Sequence, residues 1–223
     1  MNKVLRECKR IFREDPFHEM RQEKVGQRSW HCISPAECRE LIEASPSLRW
    51  RGMIVLGYCC GLRLGEVINL TWSDVDFEKY QLRVVRKTAP VSRAAWTPKD
   101  KDARTVPLPN AAVSILAELQ LAAAAWQEYL FVISRGPTAG GRVKQSNLWR
   151  DFQAIREKAS LPKCSFHDLR KSYCTNLADA VPLHVVQELA GHADIRTTRK
   201  HYLKVRDEQI NSARRALEEM MRS

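Results

Sequence analysis

Acidic residues are scarce in this sequence of 223 residues. Aspartate and glutamate number 26 against 37 lysines and arginines, which leaves a net charge of +11. A surplus of that size usually marks a polyanionic partner, with plain solubility as the alternative. Long apolar runs are missing too. The longest, Met53 to Cys60, is far too short to cross a bilayer, so no membrane partner is expected. The stretch from Met1 to Arg13 is charged throughout and does not read as a signal peptide. Paired cysteines are absent: Cys8, Cys32, Cys38, Cys59, Cys60, Cys164 and Cys174 are odd in number and include no CxxC. That argues against a disulfide framework and for a reduced, cytoplasmic chain. No repeat of fixed period is present.

With 44% hydrophobic residues the chain can bury a proper core, enough for one large domain or one domain plus a fragment. Its basic charge is local. From Arg83 to Arg104 seven basic residues face two acidic ones, and from Arg135 to Lys171 nine face three. Between Arg196 and Arg206 five basic residues have no acid among them.

Residues 1–14 read as the end of an amphipathic helix, with Val4, Leu5, Cys8, Ile11 and Phe12 on one face. Asp15-Pro16 stops it, and so abrupt a first element reads as a piece of a longer protein. Residues 15–33 read as a linker. Ser34, Pro35 and Glu37 then predict a capped helix start. Arg49 to Gly61, the most apolar segment, is expected to be a core helix closed by its glycine. Strands are expected over Thr71–Asp76, Gln81–Arg86 and Arg104–Leu108, with Lys99 and Lys101 near the tip of the last hairpin. Asn110 is expected to cap a helix to Ala125, with Tyr129 to Ile133 a brief apolar strand or turn and residues 134–141 a flexible loop. Further helices are predicted over 146–158, 166–179, 182–190, 195–202 and 207–221. The sum is an α+β fold, mostly α with one small antiparallel β-sheet.

Residues 161–206 carry the chemistry. His167 and Arg170 stand in HDLR, His192 in AGH, and Tyr202 in TTRKHYLKV. They supply a phosphate-binding cation, two imidazoles that move protons near neutral pH, and a phenol able to act as a nucleophile. Converging on one phosphate, they would cut nucleic acid by bonding to it. Upstream, Arg63 follows the core helix with Glu66 one turn on, so the carboxylate can hold the guanidinium; an ordinary surface ion pair is the alternative. Lys99 alone reads most simply as a solvated charge.

In this order Arg63, Lys99, His167, Arg170, His192 and Tyr202 resemble the catalytic domain of tyrosine recombinases, the phage integrase family. GLRLGE is similar to the family's first arginine box, HDLRKSYCT to its HxxR box, and AGHADIRTTRKHY to the box that ends in the nucleophile. KDKDARTVPL is similar to the hairpin whose first lysine is catalytic, which selects Lys99 over Lys101. The likeness covers about residues 29–206. It implies the DNA breaking-rejoining fold over residues 29–223 with a C-terminal helix, and over residues 1–28 the last helix of an N-terminal core-binding domain plus a linker.

The resemblance also implies a reaction. Tyr202 attacks a phosphate of double-stranded DNA, Arg63, Arg170 and His192 stabilise its oxygens, Lys99 protonates the leaving 5′ oxygen, and His167 manages the nucleophile's proton. The product is a 3′-phosphotyrosine that a second strand reseals without ATP, metal or cofactor. Protomers then assemble in a synaptic tetramer on DNA in the nucleoid, the helix Asp207 to Met221 docking on a neighbour; packing in cis is the bland alternative. A type IB topoisomerase uses a similar set but acts as a monomer, and the compact spacing of the boxes favours the recombinase. A DNA-binding protein without catalysis would have no reason to carry all six groups. A zinc site from Cys164, His167 and His192 lacks ligand pairs at short spacing.

Overall fold

The structure, a computed structural model, describes residues 30–87, 103–133, 140–143 and 145–191. In chain order its elements are α1 (Pro35–Ala44), α2 (Leu48–Cys59), α3 (Leu64–Val67), β1 (Val75–Asp76), β2 (Gln81–Val84), β3 (Arg104–Pro107), α4 (Asn110–Leu121), α5 (Gln145–Lys158), α6 (Phe166–Leu177) and α7 (Leu183–Ala190). The terminal helices, Lys99, Lys101 and the predicted helix over 195–202 fall outside the described residues, as does most of the loop over 134–141.

Local chemistry sets the helix starts. The Ser34 hydroxyl accepts the Glu37 amide of α1 while the Glu37 carboxylate takes the Ser34 amide at 2.8 Å. Pro35 suits the first turn because an N–H there has no helical partner to lose. In α2 every residue from Gly52 to Gly57 is buried, along with Trp50. A helix apolar on all sides belongs at the centre of a core, and α1, α4 and α6 pack around this one. Trp50 of α2, Phe152 of α5 and Phe166 of α6 form a chain of rings with centroids 6.3 and 5.7 Å apart, the second pair edge to face.

The sheet is three-stranded and antiparallel in the order β1-β2-β3, with Leu82 opposite both Val75 and Val106, and Val84 opposite Arg104. Leu82, Val84 and Val106 face the core, and the strands show the predicted alternation.

Three expectations change. Thr71 to Asp76 is mostly a 3₁₀ turn over Trp72–Asp74, because Asp74 accepts the amide and hydroxyl of Thr71 at 2.8 and 2.9 Å and so closes a local turn. Val75 and Asp76 remain to pair with β2, while Thr71 makes an isolated antiparallel bridge to Tyr129. Asn110 lies inside α4 rather than capping it; Pro109 occupies the cap, and the helix ends at Leu121 instead of Ala125. The presumed linker ends early as well. Ile33 is fully buried, its amide donating to the Ser172 hydroxyl at 2.8 Å and its carbonyl accepting from Tyr58 and Asn176.

Beyond Cys60 the end of α2 turns through Gly61 in the left-handed region at φ +62°. A Cβ on that residue would lie 2.3 Å from Tyr173 Cδ1. Gly61→Ala therefore combines a disfavoured backbone with a clash, and is expected to destabilise the domain by more than about 1 kcal/mol. An unchanged urea midpoint for that variant would show that the turn relaxes freely.

Candidate active site

The short helix α3 turns its first residues back on themselves. The Glu66 carboxylate accepts the backbone amide of Arg63 at 2.8 Å and the Arg63 Nη1 at 3.1 Å. Its side chain is only 1% exposed, so this is no surface ion pair. Arg104, at the start of β3, approaches the same carboxylate as a fork, Nη1 to Oε1 at 3.0 Å and Nη2 to Oε2 at 2.6 Å. Arg170 of α6 stands 3.9 Å from Oε2. Burial works to raise the Glu66 pKa, but the hydrogen bonds and charge of Arg104, the Arg63 amide and Arg170 outweigh it, and the carboxyl titrates below its ordinary 4.5.

The same three arginines meet the end of α7. That helix closes on Gly191, left-handed at φ +64°. Its last carbonyls have no partners inside the helix, and the macrodipole leaves them partly negative. Arg104 Nε donates to Leu189 O at 3.0 Å, Arg170 Nη2 to Ala190 O at 2.6 Å, and Arg63 Nη2 reaches Gly191 O at 3.5 Å. Arg170 Nη1 also donates to Gly61 O at 2.6 Å, which ties the ends of α2 and α7 together. Burial, then the neighbouring charge of Arg63, lowers the Arg170 pKa; a guanidinium stays protonated all the same. Its Nε is buried without a hydrogen-bond partner among the described residues.

His167 is set by the start of α6. Asp168 accepts the amide and hydroxyl of Ser165, each at 2.7 Å, and the ammonium of Lys171 at 2.6 Å. This box fixes the first turn, places His167 one turn before Arg170, and leaves the imidazole on the exposed side. An open cleft of about 530 Å³ lies there, lined by Arg63, Glu66, Ser165, His167 and Trp149, the last 67% exposed.

The structure thus brings Arg63, Glu66, His167 and Arg170 together. Lys99, His192 and Tyr202 lie outside the described residues; His192 follows Gly191 directly in the sequence. Arg104 was missed by sequence reasoning, although a signal existed. Positions 104, 106 and 108 share one face of a strand whose Val106 and Leu108 are apolar, so an arginine at 104 points inward and needs an anion. Cys164, one of the residues of the zinc alternative, is buried, and burial and then Asp168 push its thiol up to about 11.

A mostly helical domain with a small three-stranded antiparallel sheet is the fold of tyrosine recombinase catalytic domains. The chain belongs to the phage integrase family, whose pattern it matches over residues 32–209. It is 31% identical over 210 residues to the tyrosine recombinase XerC-like protein of Caldanaerobacter subterraneus subsp. tengcongensis, covering 84% of this chain and 54% of that one. The crystal structure of XerA recombinase superimposes with a TM-score of 0.65 at 26% identity, over 82% of this chain and 63% of that one. The Tn1549 transposon integrase, solved in complex with circular intermediate DNA, shares the fold at a TM-score of 0.74 and 18% identity, over 96% of this chain and 76% of that one. The chain spans about half the length of the XerC-like protein.

Glu66 is the group these contacts depend on. Glu66→Ala strands buried guanidiniums and is expected to cost about 3–5 kcal/mol at neutral pH. Because the folded carboxyl titrates below 4.5, its contribution is complete above that pH and is lost as pH falls through the lowered value. The stability gap between wild type and Glu66→Ala should therefore close in acid. A gap unchanged between neutral and strongly acidic pH, measured by urea unfolding, would show that the charge of Glu66 holds nothing.

Proposed function

We propose that this chain is the catalytic part of a site-specific DNA recombinase that cuts and rejoins strands through a covalent 3′-phosphotyrosine. The observation that carries this reading is the convergence of Arg63 and Arg170 on one buried carboxylate beside the cleft lined by His167. A phosphodiester attacked in line builds negative charge on its non-bridging oxygens, and fixed forked donors stabilise such charge best. Tyr202 Oη attacks phosphorus, the bond to O5′ breaks, the phenol's proton passes towards His167, and Lys99 protonates the departing O5′. His192 adds a donor to the phosphate. In the reverse direction a 5′ hydroxyl from a second strand attacks the phosphotyrosine and releases Tyr202, so bond energy is conserved and no cofactor is consumed.

Double-stranded DNA is the proposed partner, in keeping with the basic surplus of the chain and with the DNA complex of the integrase that shares its fold. Further protomers complete a synaptic tetramer on that DNA, the helix from Asp207 to Met221 packing on a neighbour. Relaxation of DNA by a monomer, as in type IB topoisomerases, is the competing outcome, and resolution of a Holliday junction separates the two.

Tyr202→Phe removes only the attacking oxygen. It is expected to abolish covalent trapping on a nicked plasmid carrying the gene's flanking DNA, while affinity for that DNA stays within about twofold of wild type. An adduct formed by this variant would place the nucleophile elsewhere.

Lys99→Ala should fail on normal DNA yet cleave a 5′-bridging phosphorothiolate near the wild-type rate, because sulfur leaves without a proton. Equal defects on the two substrates would exclude Lys99 as the general acid.

A further inference from the structure

Arg104 lies on the inward face of β3 with a side chain only 7% exposed. Burying a guanidinium is costly unless its donors are satisfied, and here all three nitrogens donate within the protein. Nη1 and Nη2 hold the two oxygens of Glu66, and Nε holds Leu189 O. Arg170 differs, since its Nε has no such partner among the described residues. The end of α7 is also shaped around Arg104. A Cβ on Gly191 would stand 2.9 Å from both Cδ and Nη1 of the arginine, so the glycine lets the guanidinium lie against the turn.

We propose that Arg104 is a positioning residue for the phosphate clamp, an inference that rests on the function proposed above. Its fork fixes the rotation of the Glu66 carboxylate, and that carboxylate in turn fixes where Arg63 points. Through Leu189 the same side chain holds the end of α7, whose next carbonyl binds Arg170. Without Arg104, Glu66 is free to turn towards Arg63 and Arg170, and both forks lose their aim. A lysine at 104 keeps the charge but has one nitrogen where three contacts must be met.

The test is single-turnover cleavage by the full chain, using a synthetic duplex that spans the cut mapped on plasmid DNA. The scissile group is either a phosphodiester or a methylphosphonate, in which a methyl replaces one charged oxygen. Arg104→Ala is expected to slow the phosphodiester roughly a hundredfold, the scale for a lost oxyanion donor, with duplex affinity held within about threefold. On the methylphosphonate the defect should shrink below about tenfold, because less charge remains for a misaligned clamp to stabilise. Arg104→Lys should stay closer to alanine than to wild type. Equal slowing of both substrates, or loss of DNA binding in both variants, overturns the positioning role in favour of a purely structural one. Full rescue by lysine overturns the forked geometry, and a phosphodiester rate left unchanged by Arg104→Ala overturns any role. A wild-type chain that forms no adduct on either substrate overturns the proposed reaction itself, and this assignment with it.

Discussion

Glu66 is ionised where water scarcely reaches it, and the rest of the site follows from how that charge is held. Removing a carboxylate from water costs several kcal/mol even after relaxation. Each guanidinium in direct contact returns about 4 kcal/mol at an effective dielectric near 20, so no single partner offsets the burial comfortably. Arg63 and Arg104 share the two oxygens at 2.6–3.1 Å, and Arg170 stands just behind them at 3.9 Å. Three guanidiniums around one carboxylate leave positive charge in excess. Carbonyl oxygens at the ends of α2 and α7 temper the excess without cancelling it. What the fold builds here is a place with an unspent demand for an anion.

Helix ends make the second half of that arrangement. An α-helix that stops on a left-handed glycine turns its last carbonyls outward, and Gly61 and Gly191 do this within reach of one another. Arg170 is long enough to touch both turns, so it measures the gap between α2 and α7 from its own seat on α6. The residues involved lie at 61, 63, 66, 104, 170 and 191. They belong to separate segments of the chain, and no two segments form the site alone. Core packing around α2 therefore controls the clamp: a shift of α6 against α2 would move Arg170 relative to Gly61 before it disturbed any surface group.

Much of this could be read before any coordinates, for a physical reason. Ser34 with Glu37, and Arg63 with Glu66, are local pairs three residues apart, and local pairs act at the spacing the sequence displays. His167 and Arg170 share a helix, so their three-residue spacing translates directly into neighbouring turns. Arg104 was hidden because its partner stands 38 positions upstream and its other contact 85 positions downstream. Strand alternation hinted that it faces inward but not what it faces. Thr71 to Asp76 misled for the opposite reason. Its β-forming residues suit a strand, yet the Asp74 side chain supplies a turn that composition does not register, and Lys87 then seals that carboxylate at 2.5 Å.

Holding like charges together before an anion arrives has a thermodynamic consequence. Guanidiniums crowded near one another repel, and the charge of Arg63 adds to burial in lowering the Arg170 pKa. That repulsion is met during folding by core burial, by Glu66 and by the two helix ends, not at the moment of reaction. Under the proposed function, a phosphate entering the cleft would meet donors held before it arrives, and little of its binding energy would be consumed in reorganising them. The same phosphate would relieve the crowding, and an anion that binds the folded chain and not the unfolded one stabilises the fold. Under the proposed function, stability and activity would thus be coupled through a shared set of side chains. Glu66 sets the balance: it offsets part of the charge of Arg63, Arg104 and Arg170 and leaves the rest for the anion of the proposed reaction.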